Sequence, residues 1–245
     1  MMNDNTMLEV KNLNVSYGDF QALHNISLKI KRGSIISIIG SNGAGKSTLL
    51  NTILGINKPT SGTISFLSDD IEGMLTHEIV AKGISLSPEG SKVFPKMTVK
   101  ENLIMGAYLP HVRKNKEVML EKAYTLFPVL KEKSEQEATY LSGGQRQMLA
   151  IARAIMSEPK LLFCDEISLG LAPVIIKDIY MTIKQINREG ITIVLVEQDL
   201  KRSLKYADYS YVMLKGKIVM EGKSAELQEQ EVGDAYFGVN KYAQY

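Results

Sequence analysis

Gly40-Ser41-Asn42-Gly43-Ala44-Gly45-Lys46-Ser47-Thr48 is the stretch that decides the fold of this chain. It fits G-x-x-x-x-G-K-[ST] and follows an apolar run, Ile35-Ile36-Ser37-Ile38-Ile39, that reads as a buried strand. Glycines allow backbone turns that other residues resist, so successive N–H groups can face inward around an anion. A helix expected from Lys46 to Leu54 adds its dipole and its unpaired first N–H groups. In this pattern Lys46 reaches the β- and γ-phosphates of a nucleoside triphosphate, and the Ser47 hydroxyl takes Mg²⁺.

Composition narrows what surrounds that loop. With 245 residues the chain has room for one domain or two small ones, and 44% apolar residues suffice for a sizeable core. A net charge of +2 gives no electrostatic reason to expect nucleic acid as a partner. One cysteine, Cys164, forms no disulfide within the chain and reads as a small buried hydrophobe. Met1-Met2-Asn3-Asp4-Asn5 lacks the basic and apolar regions of a signal peptide. No apolar run approaches the roughly 20 residues of a membrane span, so membrane association is expected through a partner protein.

Strand patterns come first, around Leu8–Val10 and at Ile26–Ile30, where apolar and polar residues alternate. After the phosphate loop, Pro59-Thr60-Ser61-Gly62 is turn chemistry before a strand at Thr63–Leu67. From Thr98 to Thr139 strand signals give way to helical spacing, as in Val118, Leu120, Ala123, Tyr124 and Phe127. Strand–helix alternation resumes at Leu161 and at Ile191–Val196, which implies a parallel sheet. The Lys/Glu-rich stretch Lys131–Glu137 reads as a solvated helix or loop, and His24, His77 and His111 as structural or surface residues. No His and Cys cluster has metal-ligand spacing.

Two further segments carry chemistry. Leu161-Leu162-Phe163-Cys164-Asp165-Glu166 ends an apolar strand in two acids, where open α/β sheets present ligand-binding groups. Asp165 fits a holder of Mg²⁺ through water, and Glu166 a general base that orients the attacking water. Leu141-Ser142-Gly143-Gly144-Gln145 opens a segment running to Ser157 with Met148, Ile151, Ala152 and Ile155 at helical spacing. Its hydroxyl and uncluttered N–H groups at a positive helix end make a second anion site.

Phosphate loop, LSGGQ and the LLFCDE strand in that order resemble the ATP-binding cassette (ABC) ATPases, from about Leu8 to about Gly238. The resemblance implies one domain over 1–245: a P-loop NTPase core with a parallel sheet, an N-terminal antiparallel β part and an inserted helical subdomain over about 98–158. In the family, Ser142, Gly143, Gly144 and Gln145 of one copy cover the phosphates bound by another. ATP and Mg²⁺ are implied as ligands. Partners implied are a second ATPase subunit, identical or related, and two membrane permease subunits, with no nucleic acid. Tyr17 in Val15-Ser16-Tyr17-Gly18 stands where the family's aromatic stacks on adenine.

Two departures from the wider pattern narrow the branch. Glu89, in Ser87-Pro88-Glu89-Gly90, replaces the usual Gln, and Gln198, in Val196-Glu197-Gln198-Asp199, replaces the usual His. Both are similar to the second ATP-binding subunit of branched-chain amino-acid importers. So are Val93-Phe94-Pro95-Lys96-Met97-Thr98-Val99, Ser168-Leu169-Gly170-Leu171-Ala172-Pro173 and Ala235-Tyr236-Phe237-Gly238. Ile167 stands where Pro is usual and leaves the geometry of its turn open.

The implied function is ATP hydrolysis that energises a membrane importer from the cytoplasmic face. Glu166, Lys46 and Gln198 would be catalytic, and Ser47 and Asp165 would hold Mg²⁺. Tyr17, Gly40 to Thr48 and Glu89 would bind nucleotide. Branched-chain amino acids lead as cargo, with urea, amides or another polar solute open because the cargo never touches this subunit. A DNA-repair ATPase would need a long coiled coil between the two motifs, and a ribosomal one two cassettes; neither fits this length. A scaffold with little hydrolysis is suggested by Gln198 and Ile167 and opposed by Lys46, Asp165 and Glu166.

Overall fold

Alternation broken by bulges builds the first two strands, and it runs further than the short patterns suggest. In a computed structural model that describes residues 5–237, β1 spans Thr6–Tyr17 and β2 spans Phe20–Lys31. Met1 to Asp4 and Gly238, both used above, lie outside the described residues. Leu8, Val10, Leu13 and Val15 of β1 turn inward opposite Leu23, Ile26, Leu28 and Ile30 of β2. Register shifts break the ladder near Asn12 and Asn25, which both take left-handed φ (49° and 51°), a conformation Asn tolerates well at bulges.

Two compact units divide the chain. One takes in the chain through Lys82 and again from Val194 onward; the other is Gly83–Ile193. The first continues with β3 (Ile35–Ile39), buried throughout, then α1 (Lys46–Ile53), β4 (Ser61–Phe66), β5 (Asp69–Asp70) and α2 (Thr76–Lys82). β4 pairs antiparallel with β1, Leu8 opposite Phe66, and β5 pairs with β4 to complete an N-terminal antiparallel sheet.

The second unit opens with β6 (Ile84–Ser87), followed by α3 (Val99–Gly106), α4 (Pro110–Arg113), α5 (Lys116–Leu126), α6 (Pro128–Glu132) and α7 (Gly143–Ile155). The expected helical face holds for Leu120, Ala123, Tyr124 and Phe127, which are buried. Val118 instead faces solvent, because α5 turns its apolar stripe away from that position. β7 (Leu161–Asp165) runs parallel to β6 and pairs Ser87 with Cys164. α8 (Pro173–Arg188), the helix that strand–helix alternation between Leu161 and Ile191 implies without bounds, buries Ile176, Ile179, Tyr180, Ile183 and Ile186. β8 (Thr192–Glu197), along which the chain passes from the second unit back into the first at Val194, is buried along its length.

Back in the first unit come α9 (Leu200–Tyr206), β9 (Tyr209–Leu214), β10 (Lys217–Lys223) and α10 (Glu229–Phe237). β9 lies parallel to β3 with Ile38 opposite Tyr211. Lys215 and Gly216, with φ 47° and 73°, turn β9 tightly into β10, the backbone sign a two-residue hairpin favours. No helix among the described residues is long and apolar enough to cross a membrane.

Candidate functional site

In the first unit, five buried residues of β3 deliver the chain to Gly40, whose N–H donates to the Glu197 carbonyl at 3.3 Å. Gln198, the next residue, is thereby held beside the start of the phosphate loop. The loop turns through Gly43 (φ 79°) and Gly45 (φ 102°) into α1. A Cβ on Gly45 would lie 2.8 Å from Leu23 Cδ2, so glycine is needed for space as well as for φ. Lys46 is 5% exposed, and its ammonium donates to the carbonyls of Gly40 at 2.7 Å and Ser41 at 3.2 Å. Ser41 and Thr48 are half-buried, Ala44 is buried, and Asn42 and Ser47 are exposed at the mouth.

The hairpin turn after β9 props this loop. Gly216 N–H donates to the Ala44 carbonyl at 2.9 Å, and His24 N–H donates to the Gly216 carbonyl at 2.8 Å. Sequence reasoning missed Gly216, although a Gly between two alternating runs is a hairpin signal. Tyr17 closes β1 opposite Phe20, 49% exposed, with its hydroxyl accepting a 2.7 Å bond from Asn57 Nδ2. The ring face is thus held by its far end. No local pattern at Asn57 announces that role.

In the second unit, β7 ends at Asp165 and Glu166, each 8% exposed. Glu166 has φ 46°, a left-handed backbone that costs a non-glycine residue of order 1 kcal/mol and clusters at functional sites. The turn left open by Ile167 is defined here. Ile167 is fully buried, and Leu169 N–H closes back on the Glu166 carbonyl at 3.2 Å. The pairing of β6 with β7 brings Ser87 beside Cys164, so Glu89 lies just past the carboxyl end of that strand pair, exposed. Cys164 is buried.

The LSGGQ signature, Leu141 to Gln145, opens α7. Ser142 is its N-cap: Ser142 Oγ accepts from Gln145 N–H at 3.2 Å while Gln145 Oε1 accepts from Ser142 N–H at 3.0 Å. Ser142 and Gly143 are exposed and Gly144 is buried. A Cβ on Gly144 would sit 2.6 Å from Ile175 Cγ2 of α8, so this glycine lets two helices approach. Further along α7, Gln147 and Arg153 hold the connection after Glu89, a role the sequence reading did not assign. Burial lowers the proton affinity of the Arg153 guanidinium below the usual arginine range.

The family profile for the ABC transporter matches residues 23–168. The chain is 47% identical to the high-affinity branched-chain amino acid transport ATP-binding protein BraG of Pseudomonas aeruginosa, over 95% of this chain and all of that one. Its fold is similar to that of MJ1267, an ATP-binding cassette of an ABC transporter in its ADP conformation, with a TM-score of 0.80, 33% identity and 95% of each chain covered. A dimeric post-hydrolysis state of the ATP-binding cassette MJ0796, bound to ADP and Pi, aligns at TM-score 0.76 and 27% identity, over 89% of this chain and 99% of that one. Phosphate loop, acidic strand end, capped signature and these likenesses agree: the chain belongs to the ABC transporter family of ATP-binding cassettes.

Proposed function

We propose that this chain is the ATP-hydrolysing subunit of a membrane importer whose cargo is branched-chain amino acids. The observation that carries the cargo is the likeness to the BraG subunit along the whole of both chains. The chemistry is carried by the residues themselves. Residues 1–245 act as one cassette domain, with about 98–158 as its helical subdomain.

Adenine stacks on Tyr17, and the N–H groups of Gly40 to Thr48 cradle the phosphates beside the Lys46 ammonium. The Ser47 hydroxyl and the Asp165 carboxylate are hard oxygen donors of the kind Mg²⁺ accepts while keeping water and phosphate oxygens. Bound there, Mg²⁺ would offset phosphate charge. Glu166 orients a water and takes its proton as the water oxygen bonds to the γ-phosphorus. The bond from that phosphorus to the β–γ bridging oxygen breaks, and ADP and phosphate leave. Glu89 and Gln198 position the attacking side, Gln198 by amide hydrogen bonding alone. Ser142 to Gln145 of a second ATPase subunit, identical or related, cover the γ-phosphate, a reading supported by the dimeric MJ0796 cassette.

Two permease subunits would hold the dimer at the cytoplasmic face of the membrane. Uptake of radiolabelled leucine, isoleucine and valine in cells lacking this gene tests the cargo. Loss restored by the wild-type gene but not by Glu166→Gln supports the proposal. Unchanged uptake of all three, with loss of urea or amide uptake, would reassign the cargo.

A further inference from the structure

The connection Pro88–Met97 carries Glu89 from β6 to α3 and is tied down within the second unit at three places. Ser91, at a left-handed φ of 60°, donates from Oγ to Gln147 Oε1 at 2.7 Å. Arg153 Nη2 donates to the Lys92 carbonyl at 2.6 Å, and its guanidinium lies 5.0 Å from the centre of the Phe94 ring. Asn102, fully buried in α3, accepts from Phe94 N–H at 2.8 Å and donates to the Phe94 carbonyl at 3.0 Å.

Gln147 and Arg153 both belong to α7, the helix whose first turn is the signature. Each also keeps one buried donor, Nε2 and Nη1, with no hydrogen-bond partner among the described residues. A buried donor left unmade costs stability, so these two side chains are poor choices for packing alone. What they achieve is at their other ends.

We infer that Gln147 and Arg153 are positioning residues for the ATPase reaction, fixing the Glu89 connection to the signature helix so that Glu89, which serves the chain's own nucleotide, and the signature, which it lends to a second subunit, hold one register. The inference rests on the proposed roles of Glu89 and the signature, and the measurements below separate the two.

Arg153→Met keeps an apolar stem and removes every guanidinium donor; Arg153→Lys keeps a cation that can still reach a carbonyl and a ring. In the full-length protein, at concentrations where the rate per chain no longer rises, Arg153→Met should lower kcat for MgATP about tenfold and leave KM within about twofold. Arg153→Lys should recover most of that loss. Amide hydrogen exchange should quicken at Ser91–Phe94, with Leu149–Ala152 and Tm as in the wild type. Ser91→Ala, at a half-exposed position, should repeat the kcat loss in smaller measure, and it serves if Arg153→Met does not fold. A wild-type kcat despite quickened exchange at Ser91–Phe94 would overturn the positioning role. A kcat loss that tracks a lower Tm and faster exchange in Leu149–Ala152 would overturn it too, leaving a structural role only. If Glu89→Ala keeps the wild-type kcat while the Arg153→Met loss and its rescue stand, the assignment of Glu89 fails and the positioning by Arg153 survives.

Discussion

The Lys46 ammonium donates to the carbonyl of Gly40, six residues earlier, at 2.7 Å, so one buried cation both pins the phosphate loop and charges it. Lys46→Ala removes the pin and the charge together. Nucleotide affinity is expected to fall by at least about a hundredfold, equivalent to about 2.7 kcal/mol, in a protein that still melts cooperatively. Titration with a fluorescent ATP analogue beside a thermal melt measures both. Affinity within a few-fold of wild type in the folded variant would remove the phosphate-site assignment.

Glu166 follows the buried end of β7 with a left-handed backbone and is itself buried. Glu166→Gln keeps size and hydrogen-bonding shape and loses the base. ATP binding is expected to stay within a few-fold while turnover falls by about a hundredfold or more, and the variant should collect as ATP-bound dimers on size exclusion. Turnover near the wild-type rate would exclude Glu166 as the catalytic carboxylate.

The elements legible in the sequence were those whose signal is local. Alternation gave Ile26–Ile30, and an apolar run closing on glycines gave β3 and its loop. The residues that escaped notice act across distance. Gly216 props Ala44 from the far end of the chain, Asn57 holds the Tyr17 hydroxyl forty positions away, and Arg153 reaches back to Lys92. Each looks ordinary among its own neighbours, because its job is a contact that only the folded chain creates. The β1 strand was underestimated for a related reason: the polar pair Lys11-Asn12 puts its apolar pattern out of phase between Val10 and Leu13, and a bulge closed by Ser27 carries the ladder past it.

Gly144 lets the start of α7 approach α8 closely, since a methyl there would come within 2.6 Å of Ile175 Cγ2. Gly144→Ala is expected to cost about 1–3 kcal/mol through overpacking and to displace the start of α7, lowering ATPase activity. Ile175→Ala in the same chain removes the offending carbon. The double variant should therefore recover stability and part of the activity, a coupling that urea denaturation and steady-state rates would measure as non-additive. If the double variant recovers stability but no activity, the Gly144 N–H and its setting matter for more than space. If it recovers neither, the contact with Ile175 is not what excludes a side chain.

Tyr211 clips two sheets of the first unit together: its hydroxyl donates to the Lys29 carbonyl at 2.9 Å and accepts from the Lys29 N–H at 3.0 Å. Burial pushes its phenol up from 10.0 to about 12, helped by the nearby Glu221 carboxylate and opposed by the bond to Lys29. A folded state that holds this proton more tightly than the unfolded chain is favoured below the unfolded value and loses that advantage as pH rises through the folded one. Stability should thus decline between pH 10 and about 12, by up to about 2.7 kcal/mol at 1.36 kcal/mol per unit. Tyr211→Phe cannot ionise. At neutral pH it should be about 1–3 kcal/mol less stable, for the lost hydrogen bonds and the Lys29 groups left without them. Urea unfolding of both proteins across this range provides the check, and the gap between them should narrow as pH rises. Tyr209, also raised by burial and by Glu221, titrates in both proteins, and because its charge is among those that raise Tyr211, the comparison is repeated in a Tyr209→Phe background. A gap that stays constant up to pH 12 would mean that the Tyr211 proton is not held by the fold.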